Sequence, residues 1–211
     1  MALVIFDCDG VLVDSEPLAN EVLNQHLQAI GLDLPLVEST RLFTGLSMRS
    51  SVAIIEERIG RSLPASFVGD LREATALSFR HALQPVPGIA EALVQLQQPF
   101  CLASSGIHSK IRSSLELTGL RHFFPDQRIF SAEDVSHGKP APDLFLYCAR
   151  SLGFAAEDCV VVEDSRPGVL AARAAGMRVL GFAQRTPSRV LAAAGATVFT
   201  QMAELEALLV S

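Results

Sequence analysis

The sequence predicts an α/β fold, in which a buried parallel sheet is wrapped by helices and interrupted once by an inserted helical unit. Three observations carry this. From residue 86 onward, short apolar runs alternate with amphipathic stretches. Those runs are apolar on both faces, as strands of a parallel sheet covered on both sides are. Residues 16–84 break the rhythm, with helical periodicity and no convincing strand.

The first strand is Ala2–Phe6, which stops at Asp7. It has no basic flank, so neither a signal peptide nor an anchor is expected there. The helical insertion follows, with apolar spacing at Leu18, Val22, Leu23, His26, Leu27 and Ile30, then Val52, Ile55 and Ile59. Two proline-bearing joints flank it, Asp14-Ser15-Glu16-Pro17 and Gln84-Pro85-Val86-Pro87-Gly88. Proline fixes φ and ends regular elements, so these joints predict hinges. The expected domains are a core of 1–15 with 86–211 and a helical cap of 16–85. A cap inserted directly after the first strand lies where an α/β sheet opens its ligand crevice, which suits a mobile lid. Further strands are predicted at Phe100–Ala103, Arg128–Phe130, Cys159–Val162, Val179–Phe182 and Thr197–Phe199. The helices between them, one predicted over Lys110–Leu117, stop at Gly119, Gly153, Gly176 and Gly195.

Composition narrows the function. The chain has 211 residues, 49% hydrophobic and 19% charged, with a net charge of −6. That balance excludes general disorder, and the negative charge argues against nucleic acid or an anionic membrane as partner. No apolar run approaches the ~18–20 residues that span a bilayer. The four cysteines (Cys8, Cys101, Cys148 and Cys159) are widely spaced with no C-x-x-C. Cys8, Cys101 and Cys159 lie in or beside strand-like runs and read as small core residues, and a reduced, cytoplasmic protein is expected.

Four segments carry chemistry. In Phe6-Asp7-Cys8-Asp9-Gly10-Val11-Leu12-Val13-Asp14-Ser15, Asp7 emerges at the end of the first strand and Asp9 points the same way two residues on. Two carboxylates this close repel unless a cation lies between them, and hard oxygen ligands suit Mg²⁺. A second strand ends in adjacent acids, Val162-Glu163-Asp164-Ser165. In one parallel sheet, Asp7, Asp9, Glu163 and Asp164 gather at one edge. Gly138-Lys139-Pro140-Ala141-Pro142-Asp143 holds one of only two lysines against 15 arginines, and an ammonium there can neutralise an acidic site or hold phosphate. In Cys101-Leu102-Ala103-Ser104-Ser105-Gly106, a strand ends in hydroxyls before a helix, which suits a phosphate oxygen. Taken singly, these same residues also suit a loop lysine and a helix cap.

Together the four segments resemble the haloacid dehalogenase superfamily, on its β-phosphoglucomutase-like and 6-phosphogluconate phosphatase-like branch. D-x-D-G-V-L-V-D-S, the strand-end Ser, G-K-P-x-P-D and V-V-E-D-S stand in the family's order. The resemblance implies a Rossmann-like core with a helical cap, and a monomeric phosphatase of a small phosphorylated metabolite. Asp7 is implied as nucleophile, forming an aspartyl-phosphate, and Asp9 as general acid and then base. Mg²⁺ would be held by Asp7, the Asp9 carbonyl and Asp164, with Glu163 as ligand or support. Ser104 and the Ser105 backbone would hold the phosphoryl group, and Lys139 would balance its charge. Thr44, Gly45 and Arg49 match a cap loop that contacts substrate, with Arg49 gripping a distal phosphate or a carboxylate. Dehalogenases of the superfamily lack the second aspartate, which is present here. A phosphosugar mutase of this branch carries a His where this chain has Ala19, which favours the phosphatase. A phosphoacceptor signalling module gathers similar groups, but its acidic pair comes first and its Lys last.

Overall fold

The computed structural model describes residues 2–43 and 48–210. Its strands are β1 (Leu3–Phe6), β2 (Phe100–Ser104), β3 (Ile129–Ser131), β4 (Cys159–Glu163), β5 (Arg178–Phe182) and β6 (Thr197–Phe199). All pair in parallel, in the order β3-β2-β1-β4-β5-β6. The chain works outward from β1 on one side, then returns to place β4 on the other. The strand order therefore reverses between β1 and β4, and in open α/β sheets ligands bind at the carboxyl ends of such a pair.

Chain composition accounts for this layout. Each residue of β1 is buried, and so is each of β4. Side chains alternate across a strand, so the two sheet faces draw on different residues of the same run. Leu3 and Ile5 join Cys101, Ala103, Phe145, Val161 and Val169 in one cluster. Phe6 packs edge-on against Phe100, which packs in turn on Phe124. Burying one such ring or branched chain contributes roughly 1.5–3 kcal/mol.

The chain forms two compact units, one running through Asp14 and resuming at Gln84, the other spanning Ser15–Leu83. The second unit is helical: α1 (Glu16–Ala29), α2 (Leu36–Phe43), α3 (Met48–Ile59) and α4 (Phe67–Ala82). Val22, Leu27, Phe43, Ile55, Phe67 and Leu71 form its own core. Within the first unit, the chain leaves and returns as a paired ribbon. The Asp14 amide donates to the Gln84 carbonyl at 3.0 Å, and the Val86 amide to the Leu12 carbonyl at 2.9 Å. Val13 and Pro85 sit opposite each other in antiparallel sense.

The first unit's helices are α5 (Ile89–Gln95), α6 (His108–Leu117), α7 (Asp143–Leu152), α8 (Arg166–Ala174), α9 (Ser188–Ala194) and α10 (Leu205–Val210). α7 ends at Gly153 with φ +79°, a left-handed backbone in which glycine carries no Cβ penalty. Several boundaries differ from the sequence reading by one or two residues: β1 starts at Leu3, β2 ends at Ser104, β4 ends at Glu163 and β5 starts at Arg178. β3 runs one residue later than Arg128–Phe130, because Arg128 closes a 3₁₀ turn over Asp126–Arg128. α6 starts two residues before Lys110, at His108, whose amide donates to the Glu133 carboxylate at 2.8 Å. Among the described residues, no helix is long and apolar enough to cross a membrane. All four cysteines are free and buried.

Candidate active site

The site is built by strand register. β1 and β4 run side by side with Phe6 opposite Val162, so the next residues, Asp7 just past β1 and Glu163 at the end of β4, stand side by side at the carboxyl edge of the sheet. The Asp7 amide still donates to the Val162 carbonyl at 2.9 Å, which extends the ladder to the base of the site. Asp7, Glu163 and Asp164 are all buried, and each offers a carboxylate oxygen within 4.8 Å of the others. Three buried acids this close hold a large repulsion that a bound proton or a cation offsets.

Lys139 supplies one such cation. Its Nζ donates to Asp7 Oδ1 at 2.6 Å, Glu163 Oε1 at 2.7 Å and the Ala103 carbonyl at 3.1 Å. An ammonium has three protons, and all three are used. The side chain is 4% exposed, and its ammonium lies 5.0 Å from the centre of the Phe145 ring. Burial opposes the Lys139 charge, but the Asp7 and Glu163 carboxylates outweigh it and hold the group above its ordinary range. Burial pushes the Asp7 carboxyl up to about 7, against the pull of Lys139 and with help from Glu163.

Two glycines make room for the acids. A Cβ at Gly10, where φ is +82°, would lie on the Asp164 carboxylate, and one at Gly168 would lie on that of Glu163. Both approaches are far inside contact distance. Glu163 is also gripped from behind: the Ser165 amide and hydroxyl each donate to its Oε2 at 2.8 Å. The same hydroxyl accepts from the Gly168 amide at 3.1 Å, capping α8.

The strand-end hydroxyl of Ser104 is 1% exposed and accepts from the Gly106 amide at 3.0 Å, while Ser105 is exposed. β2 flanks β1 on the side away from β4, so this turn lies at the same sheet edge as Asp7. Asp9 departs from the acid cluster. Its Oδ2 accepts from Lys110 Nζ at 2.8 Å, so its carboxylate is not among the three gathered oxygens. Arg49 is exposed on α3 of the helical unit, and Thr44 and Gly45 lie outside the described residues.

Sequence reasoning missed Lys110, Ser165 and Gly168. For Lys110 the signal was present: the chain has two lysines, and each pairs with one of the first two aspartates of the first motif. Ser165 and Gly168 carry no such signal, because a capping serine and a helix glycine are common and their purpose lies in where Glu163 folds.

The three carboxylates suit a hard divalent cation. All are oxygen donors, they converge, and Lys139 leaves part of their charge uncompensated. Parallel order, switch point and convergent acids define an α/β enzyme core of the Rossmann-like type with a carboxylate centre. The chain belongs to the haloacid dehalogenase-like hydrolases, whose family model matches residues 4–182. It is 29% identical to the 6-phosphogluconate phosphatase of Escherichia coli over 96% of this chain and 91% of that one. It is 31% identical to a phosphorylated carbohydrates phosphatase of Thermotoga maritima, over 97% of this chain and 96% of that one. Among solved structures, a haloacid dehalogenase family hydrolase from Deinococcus radiodurans with bound phosphate and sodium superposes with a TM-score of 0.85. It is 32% identical and covers 99% of this chain and 95% of that one.

Proposed function

We propose that this protein is a Mg²⁺-dependent phosphatase of small phosphorylated carbohydrates, sugar phosphates or sugar-acid phosphates such as 6-phosphogluconate. The observation that carries this reading is the buried Asp7–Lys139–Glu163 triad beside Asp164 at the switch point. Phosphoryl transfer is mostly positioning and charge neutralisation, and this arrangement provides both. The phosphatase names of the two curated relatives support the substrate class.

Asp7 attacks phosphorus, forming a P–O bond to its carboxylate while the ester P–O bond breaks. Asp9 gives its proton to the departing sugar oxygen. Asp9 then takes a proton from water, which attacks the aspartyl-phosphate phosphorus and releases inorganic phosphate with Asp7 restored. Lys139 holds the Asp7 carboxylate and faces the transferred group as a fixed positive charge. The Ser104 hydroxyl and the amides of the turn after it donate to the phosphoryl oxygens. Asp7, Asp164 and the Asp9 carbonyl would hold Mg²⁺, with Glu163 as a further ligand or as the support of Lys139. When bound, the ion would supply charge neutralisation for the carboxylates and the phosphoryl oxygens. Thr44, Gly45 and Arg49 are the candidate contacts to the remainder of the substrate.

The test is phosphate release from a metabolite panel that includes 6-phosphogluconate and β-glucose 1-phosphate, with and without Mg²⁺. Many equivalents of free phosphate are expected, with Asp7→Asn slower by about a thousandfold or more. Isomerised sugar without free phosphate would replace this reading with a mutase. Phosphorylation that stops at one equivalent would replace it with a signalling module.

A further inference from the structure

The two lysines of this chain divide the first motif between them. Lys139 takes Asp7, as described. Lys110, the third residue of α6, reaches back across 101 positions to place Nζ 2.8 Å from Asp9 Oδ2. Its stem crosses the turn after β2, where a Cβ on Gly106 would lie 3.5 Å from Lys110 Cδ and 3.3 Å from Ser104 Oγ. The phosphate-facing turn and the cation on Asp9 thus belong to one continuous piece of backbone, residues 104–110.

From this geometry we propose that Lys110 is a positioning residue, which fixes the orientation of the Asp9 carboxylate toward the leaving oxygen of the substrate. The inference rests on the reading of Asp9 as proton donor given above. Asp9 sits on a tight turn, with the Gly10 amide donating to the Val13 carbonyl at 2.8 Å. Its side chain is 31% exposed, and the Lys110 ammonium touches it directly. An ion pair at one oxygen fixes the carboxylate plane and directs the other oxygen. The Lys110 side chain is 42% exposed, and pairs in that setting contribute at most about 1 kcal/mol to folding. Stability is therefore not what the pair secures. A misplaced acid costs little for a substrate whose leaving group departs unaided and much for one that must be protonated. An alkyl phosphate is the second kind, and p-nitrophenyl phosphate is the first.

The experiment compares kcat/KM for a sugar phosphate and for p-nitrophenyl phosphate in wild type, Lys110→Met, Lys110→Arg and Asp9→Asn. This quantity reports steps only through departure of the leaving group. In Lys110→Met the loss should be at least about tenfold greater on the sugar phosphate, carried by kcat and not KM, with Lys110→Arg recovering part of it. Equal losses on both substrates would overturn the proposal, since they mark Lys110 as a charge that attracts the anion. No loss on either, while Asp9→Asn loses selectively, would remove Lys110 and leave Asp9 in its role. If Asp9→Asn shows no selectivity between the substrates, the proton-donor reading itself falls, and this inference with it.

Discussion

Asp7 lies between influences of opposite sign: burial, which pushes its carboxyl up to about 7, and the Lys139 ammonium 2.6 Å away, which draws it down. Burial prevails, so in the metal-free protein Asp7 binds a proton more tightly folded than unfolded. Its contribution to stability is then greatest below the ordinary carboxylate pKa and is lost as pH rises from about 4 to about 7. A cation that binds the ionised carboxylate must displace that proton. Mg²⁺ affinity measured by calorimetry should therefore weaken roughly tenfold between pH 7.5 and pH 6. The binding heat should also vary with the ionisation enthalpy of the buffer. Affinity that is flat over this range would show Asp7 to be ionised already. At this scale the sequence was explicit about Asp7, Glu163 and Asp164, whose types and strand-end positions announce them, and about Lys139, one of two lysines, set between Gly138 and Pro140. Its signal for Lys110, the scarcity of lysine, was easily passed over, because a lysine on a helix is ordinarily a solvated one and its target lies 101 residues away.

Glycine in a helix tests how α8 holds the site. Replacing an exposed helical glycine by alanine normally stabilises by roughly 0.5–1 kcal/mol. Gly69, in the first turn of α4, has nothing within 4 Å of where a Cβ would lie, so Gly69→Ala should follow that rule. At Gly168, in the first turn of α8, the same methyl would fall on the carboxylate of Glu163, which is 0% exposed and tied to Lys139 and Ser165. That collision should cost about 1–3 kcal/mol and reverse the sign. Urea unfolding of the two variants measures both; a stabilised Gly168→Ala would mean that Glu163 moves freely. Element types were legible from periodicity, while ends were less so. β3 shifted by one residue because a strand buried on both faces has no alternation to mark where it begins.

Across the whole molecule, the acids that converge come from two neighbouring strands at the middle of the sheet that are far apart in the chain: β1 at its start and β4 about 155 residues later. Nothing local holds them together, so the cluster exists only when the sheet is formed. A cation bound there stabilises the folded state alone, by about 2.7 kcal/mol at a hundred times its dissociation constant. For a chain of this size that corresponds to a rise in Tm of roughly 5–10 °C. Thermal unfolding with and without Mg²⁺ measures it, and Asp164→Asn should remove most of the rise. A Tm indifferent to Mg²⁺ would detach the ion from the cluster. The parallel sheet and the helical insertion could be read in advance, since alternation of strands and helices permits few arrangements. How the chain steps out between Asp14 and Gln84 could not be read, because prolines mark a joint without saying what pairs across it. The ribbon there sets both ends of the 69-residue helical segment one hydrogen bond apart. A segment attached in that way is topologically a plug in a socket. Descendants of one ancestral scaffold can lengthen it, exchange it or trim it to a hairpin while every strand of the sheet keeps its neighbour.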